Sequence, residues 1–487
     1  MNNHRKSIKG KNELLSTIAQ KWFVDAGDEE DRYFFFYDEV AEIMSGAKNY
    51  VIGRKGTGKT AIREYILKQS AFDIFSEKLN FKNFPFKSLY SLTDDNYTAP
   101  NQYITIWKYL IYSQLCKMMR DNENIDLSLR STLEKLYPKQ DKRQLRSSIS
   151  EWTSVGFGID ILGNGGNFRI DRQKIVPNIS WIQKVDLLEQ IIIDNCDNAK
   201  YYILFDELDE DFRSVKDHGE GDLYMQLLTS LFKAVQDIKR VFKNTDIKVI
   251  PVIFLRDDIY SLIKDPDKNK WRDFLVELEW DIDKLQRLLA FRISQDIPQA
   301  DNLSFRQAWF KIFDREPVRY GTGKTKTIES YAFVRQSTHL RPRDYIKYIR
   351  LCCEEALKQG EKYISPATVK KCDRAFSNYL WDEIKDEIFP LLPEIDEIRH
   401  VLEEMRRWIF TPEEFINVYQ THAANGSIKE QNVNRVLDIL FNFSVLGTQN
   451  RYQPAVHYFK YKETNMTRNS SEQLVIHRGL LKTFQIK

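Results

Sequence analysis

The sequence predicts an α/β fold: a phosphate-loop core on a parallel sheet, then a helical lid, then a C-terminal winged-helix-like domain. Three observations carry this. A short apolar approach, Asn49 to Ile52, runs into a glycine-rich octapeptide and then a helical pattern. Two longer apolar runs, Tyr201 to Phe205 and Val249 to Leu255, each end in charged residues. Unbroken runs of this kind suit parallel strands buried on both faces. Beyond about residue 298 the pattern is helical and closes on a helix, helix, strand, strand texture.

The octapeptide is Gly53-Arg54-Lys55-Gly56-Thr57-Gly58-Lys59-Thr60, which is G-x-x-x-x-G-K-[ST] without deviation. Glycines at Gly53, Gly56 and Gly58 let the backbone wrap. The N–H groups from Lys55 through Thr57 to Ala61 then point at a phosphate, and the following helix adds its positive end. Lys59 is expected to reach the β- and γ-phosphates of ATP, and the Thr60 hydroxyl to bind Mg²⁺. A chance glycine-rich turn would not have a strand-like lead and a helical follow, Ala61 to Leu67. Gly321-Thr322-Gly323-Lys324-Thr325 has the look of the same loop. There the first glycine of the motif would fall on Val318, behind Arg315-Glu316-Pro317, so a flexible surface loop is expected.

The first long run ends in Asp206 and Glu207. Asp206 is placed to hold Mg²⁺ beside Thr60, and Glu207 to polarise an attacking water. Asp209, Glu210 and Asp211 read instead as helix-start or surface charges. The second run ends in Arg256-Asp257-Asp258. A cation there would lie near a γ-phosphate, which makes Arg256 a candidate sensor of nucleotide state. The plainer alternative is a strand-end salt bridge with Asp257 or Asp258. Pro251 lacks an N–H and is expected at the start of this strand or at a bulge.

Four segments are expected along the chain. Residues 1–48 are helical in pattern, with an aromatic cluster from Tyr33 to Tyr37. Residues 49–298 form the core, with a helical and hairpin insertion at about 121–175. Within the core, Phe86 to Leu92 reads as the second strand and Phe274 to Trp280 as the fifth. In space the strand ending at Arg256 is expected between the loop strand and the acidic strand. Residues 299–399 form the lid, in which Arg341 or Arg343 stands at a helix start within reach of a γ-phosphate. A salt bridge inside the lid is the alternative for both. Residues 400–487 carry two helices, and then two segments, Val456 to Tyr461 and Gln473 to His477, that read as a hairpin.

Composition excludes several classes. The 487 residues suggest roughly three domains. Lys and Arg number 73 and Asp and Glu 70, so the formal charge is +3, and the chain as a whole is no polyanion trap. No run of about 20 apolar residues exists, so no membrane span is expected. Five cysteines without a CxxC pair read as reduced core thiols in a cytoplasmic protein. Residues 441–487 hold seven Lys and Arg against two Glu, a local balance of +5, so nucleic acid is a partner to consider there. The helix of that domain that would read DNA is mostly apolar and neutral, which favours protein packing.

GRKGTGKT (Gly53 to Thr60), FDELDE (Phe205 to Glu210), IFLRDDIY (Ile253 to Tyr260), HLRPRDYI (His339 to Ile346) and the winged-helix-like end together resemble a bacterial group of P-loop ATPases. That group is akin to the KAP, STAND and origin-recognition-like branches of the AAA+ class, and the resemblance covers most of residues 30–480. It implies a P-loop NTPase core of AAA+/STAND-like type, with Arg256 as the sensor-1 residue and Arg341 or Arg343 as sensor 2. It also implies a setting in antiviral defence loci. No clear arginine finger is found; Arg213 is the nearest candidate.

The leading expectation is a regulatory ATPase that binds ATP and Mg²⁺ and switches a protein effector or its own homo-oligomer. No second catalytic constellation accompanies the loop, and the seven histidines are scattered. A DNA-binding loader or remodeller and a non-hydrolysing nucleotide-dependent scaffold are the alternatives.

Overall fold

The computed structural model describes residues 13–69, 71–81, 101–139, 180–209, 221–299, 303–321, 323, 325–450 and 452–486. It divides into two compact units. The first comprises Phe36–Arg54 and Lys59–Leu278, and the second takes the chain up to Phe35, Lys55–Gly58 and Glu279–Lys487.

The first unit is built on five parallel strands: β1 (Tyr50–Ile52), β2 (Ile74–Asn80), β3 (Lys200–Asp206), β4 (Lys248–Leu255) and β5 (Leu275–Glu277). Their order is β2-β3-β4-β1-β5. β4 therefore lies between the loop strand and the acidic strand, as expected from the sequence. Register aligns the strand ends: Ile52 lies opposite Leu255, and Phe205 opposite Ile253. From Tyr201 to Phe205, β3 is wholly buried, as a strand covered on both faces must be. The helix Gly221–Phe242 buries Leu227, Leu228, Leu231, Val235 and Ile238 on one stripe. Its Phe232 carbonyl accepts the Tyr50 hydroxyl at 2.9 Å. The helix Ile104–Asp121 buries Trp107, whose indole donates to the Leu227 carbonyl at 2.9 Å.

Two strand expectations need correction. The second strand is Ile74–Asn80; Phe86 to Leu92 lies outside the described residues, as does the expected hairpin at 155–170. Pro251 stands inside β4, opposite Ile203, and not at its start. Its carbonyl accepts the Asn49 side chain at 2.8 Å. The missing N–H points to that same side, where β1 begins only opposite Ile253. The position facing the proline is thus filled by a side chain, and no ladder bond is lost.

The second unit has a largely helical core. Pro342–Gln359 ends on Gly360 in the left-handed conformation (φ 69°), and Pro366–Ile388 is capped by Ser365, whose hydroxyl accepts the Thr368 N–H. The helix Ile282–Gln295, grouped with the sheet from sequence, buries Leu285, Leu288, Leu289 and Ile293 in this core instead. The short helix Glu13–Lys21 adds Leu15 and Ile18 to it. β6 (Val318–Tyr320) and β7 (Lys326–Ile328) pair antiparallel. The loop-like Gly321 segment is their connection and leads into the strand β7.

After Ile395–Met405 come β8 (Ile409–Phe410), the helices Pro412–Ala424 and Val433–Asn442, then β9 (Leu446–Gln449), β10 (His457–Tyr458) and β11 (Leu474–Ile476). The antiparallel order is β10-β9-β11-β8. The two expected hairpin strands thus do not pair with each other; each pairs with β9 between them. Four of the five cysteines are buried and all are free thiols; burial pushes Cys116 and Cys196 up to about 12. Among the described residues no helix is long and apolar enough to cross a membrane.

Gly447 sits where β9 meets β10, and a Cβ there would lie 2.3 Å from the Tyr458 carbonyl oxygen. Backbone cannot yield cheaply. Gly447→Ala is expected to cost about 1–3 kcal/mol, read as a lower urea midpoint at unchanged slope.

Candidate active site

In the first unit the loop leaves β1 with Gly53 donating to the Leu255 carbonyl at 3.3 Å. Gly56 (φ 85°) and Gly58 (φ 105°) adopt left-handed conformations that a side chain would strain. The helix Lys59–Lys68 follows, with Thr60 and Ala61 in its first turn. Lys59 Nζ donates back to the carbonyls of Gly53 at 2.5 Å and Arg54 at 3.0 Å. Burial lowers Lys59 to about 8, against the opposing pull of Asp209 and Asp257.

At the end of β3, Asp206 is 7% exposed. Arg63, from the loop helix, pairs with it. Glu207 holds φ 60°, a left-handed value that costs a non-glycine residue of order 1 kcal/mol. Its Oε1 lies 3.8 Å from Arg63 Nη1 and 3.7 Å from Lys78 Nζ, while its Oε2 is buried with no hydrogen-bond partner among the described residues. Burial, and then Arg63, lower the Lys78 ammonium.

At the end of β4, Arg256 binds Asp258 through two bonds, at 3.0 and 2.6 Å. Its Nη1 is 3.6 Å from Asp209 Oδ2. The strand-end salt bridge weighed from sequence is therefore present. Asp209 keeps a partly exposed side chain, as a surface charge would, and also faces Arg256 and acts on Lys59. Arg63 and Lys78 were also missed. The signal for Arg63 was its place one helical turn after Lys59, on a face turned towards the sheet. Glu210, Asp211 and Arg213 lie outside the described residues.

The middle of the loop, Lys55–Gly58, belongs to the second unit. Arg341, the N-cap residue of Pro342–Gln359, is 1% exposed. It donates to the Lys55 carbonyl at 3.0 Å and to Glu387 at 3.1 Å, and pairs with Asp344 at 3.0 Å. Although burial opposes its charge, Asp344 and Glu387 hold it firmly protonated. Arg343 is less buried. It binds Glu383 at 3.0 Å, and its Cβ lies 3.0 Å from where a Cβ on Gly56 would stand. Lys55 also reaches Glu383, at 3.3 Å, and the Trp280 indole donates to the Thr57 carbonyl at 2.8 Å. Both arginines thus carry lid salt bridges, and both touch the loop.

Removing Arg341 would strand Asp344 and Glu387 without their buried counter-charge. Arg341→Ala is expected to lose about 3–5 kcal/mol of stability, whereas Arg343→Ala, at a partly exposed pair, should lose about 1 kcal/mol or less. Chemical denaturation of the two variants checks the ranking.

A family model described as the FunZ-associated C-terminal helical domain matches residues 283–385. No curated protein sequence matches the chain. Among solved structures, the Aeropyrum pernix ORC2 protein (ADPNP–ADP complexes) is 13% identical, with 92% of this chain and 90% of that one covered and a TM-score of 0.38. The Aeropyrum pernix ORC1 protein in complex with DNA is 11% identical, with coverage of 98% and 92% and a TM-score of 0.37. Cdc6p from Pyrobaculum aerophilum is 10% identical, with coverage of 92% and 90% and a TM-score of 0.29. Likenesses of this strength carry no inference about ligands or partners. The fold class rests on the five parallel strands, their order and the loop between β1 and its helix: a P-loop core followed by a largely helical C-terminal region.

Proposed function

We propose that the protein is a Mg²⁺-dependent regulatory ATPase that switches a protein effector or its own oligomer, in the cytoplasm and in a defence setting of the kind the family resemblance implies. One observation carries the catalytic part. Glu207 has a strained backbone and a buried Oε2 without a hydrogen-bond partner among the described residues, directly after the carboxylate that ends β3. A carboxylate held in this way can orient and polarise a water. Lys59 and the N–H groups from Lys55 to Ala61 bind the phosphates, together with Gly53, Gly56 and Gly58. Arg256 senses the γ-phosphate. Of the two lid arginines, Arg343 has the freer side chain for that task, and Arg341 supports the loop through the Lys55 carbonyl.

The Thr60 hydroxyl and the Asp206 carboxylate are hard oxygen donors of the kind Mg²⁺ takes. The metal would supply charge neutralisation between the β- and γ-phosphates. The division of the chain into N-terminal segment, core (49–298), lid (299–399) and winged-helix-like domain (400–487) belongs to the same proposal, with the helix Ile282–Gln295 moved from core to lid, where it packs.

A protein partner is favoured over DNA by the helix Val433–Asn442. Its Arg435 pairs with Glu430, and its Asp438 with Arg468 at 2.7 Å. Charges satisfied among themselves leave little to offer a phosphate backbone. The +5 balance of residues 441–487 supports the DNA reading. That reading requires ATP turnover to rise with duplex DNA and to lose the rise in salt.

Steady-state ATP hydrolysis tests the assignment. Glu207→Gln is expected to keep ATP binding and slow turnover by on the order of 10²–10⁴-fold. Lys59→Ala is expected to lose phosphate binding itself. Equal loss of binding in both would refute the roles, and wild-type binding without turnover would favour the scaffold.

Lys59 also makes a pH prediction. Its pKa of about 8 rises when a phosphate joins it, so binding takes up a proton above that pH. Affinity for a fluorescent ATP analogue should be flat below about pH 8 and fall above it. The fold moves the other way. The unfolded lysine holds its proton to about 10.5, so stability rises with pH between about 8 and 10.5.

A further inference from the structure

Arg63 has no part in the roles above, yet it is buried among three carboxylates. It lies one turn beyond Lys59 and Thr60 on the loop helix, with a side chain 6% exposed. Its Nε donates to Glu64 Oε1 at 3.0 Å. Glu64 alone would satisfy an ordinary helix-surface cation. Instead, Nη1 turns to Asp206 Oδ2, with Glu207 Oε1 3.8 Å away. A guanidinium does not give up its proton in a protein, so this pair cannot be dissolved by neutralising the arginine. A buried, charge-assisted bond of this kind is strong and specific.

We infer that Arg63 is a positioning residue that competes with the divalent cation for Asp206 and thereby sets how tightly the site holds its metal. The inference rests on the nucleotide reading above. Asp206 Oδ2 is the atom on which the two demands meet: a metal needs the carboxylate, and so does the arginine. When a metal takes Asp206, the carboxylates left to Arg63 are Glu64 and Glu207. Metal occupancy is then coupled to the residue that polarises water, and Lys78, 3.7 Å from Glu207, stands by that carboxylate on the neighbouring strand β2.

The test uses Mn²⁺ as the probe, with free Mn²⁺ read by electron paramagnetic resonance in the full chain saturated with a non-hydrolysable ATP analogue. Arg63→Gln is expected to tighten Mn²⁺ binding about tenfold or more, within the usual range of coupling between two ligands. Arg63→Lys, which keeps the charge, should stay near wild type. Glu64→Gln leaves Arg63 more fully to Asp206 and should weaken Mn²⁺ binding. A folded Arg63→Gln protein with unchanged or weaker Mn²⁺ affinity overturns the inference. If that variant does not fold, an unchanged affinity in Glu64→Gln overturns it instead. Wild-type protein that binds neither the analogue nor Mn²⁺ would sink the nucleotide reading itself, an outcome distinct from either.

Discussion

Because β4 separates β1 from β3, the ends of three strands deliver their polar residues side by side. Lys59 follows β1, Arg256 follows β4, and Asp206 and Glu207 close β3. Parallel strands make this possible, since all the C-terminal ends fall on one edge of the sheet. Helices on the sheet faces then have to be apolar where they touch it. The buried stripe of Gly221–Phe242 and the indole bond of Trp107 follow from that requirement.

The edge so assembled is dense in charge. Lys59, Arg63, Lys78 and Arg256 stand among Asp206, Glu207, Asp209 and Asp258. Nearly every member has its counter-charge within the cluster, which is the condition for burying ions at all. Lys59 is the exception in kind. Its direct partners are two neutral carbonyls, and burial lowers its pKa. An ammonium whose bonded acceptors carry no formal charge gains from a charged one, and a phosphate is one. Glu207 is the counterpart among the acids, with one oxygen near cations and the other unused.

Much of this was legible in the chain, for a physical reason. β3 and β4 are central strands, so their sequences are continuous apolar runs that end abruptly in charge. The glycines of the loop are required by backbone angles that the spacing encodes. β2 escaped because it is an edge strand: Ile74–Asn80 carries Ser76, Glu77 and Lys78, and only Leu79 among its described side chains is fully buried. β9 is four residues long and contains Gly447, so no alternation marks it. Arg63 and Asp209 were hidden differently. Each looks like an ordinary surface charge in one dimension; the fold buries Arg63 and brings Asp209, still partly exposed, to Arg256. Arg341 shows the reverse. The sequence offered it equally with Arg343, but burial beside Asp344 and Glu387 gives it a structural task.

The octapeptide reads as one motif, yet it is physically two pieces. Gly53, Arg54, Lys59 and Thr60 answer to the sheet, while Lys55 to Gly58 answer to Arg341, Arg343, Glu383 and Trp280. A loop of this build is not a transferable cassette. Grafted alone onto another sheet, it would arrive without the side chains that shape its middle. A mutational scan across the eight positions should therefore sort into two phenotypes, and evolutionary drift in the middle four should follow the helical unit's residues and not the sheet's.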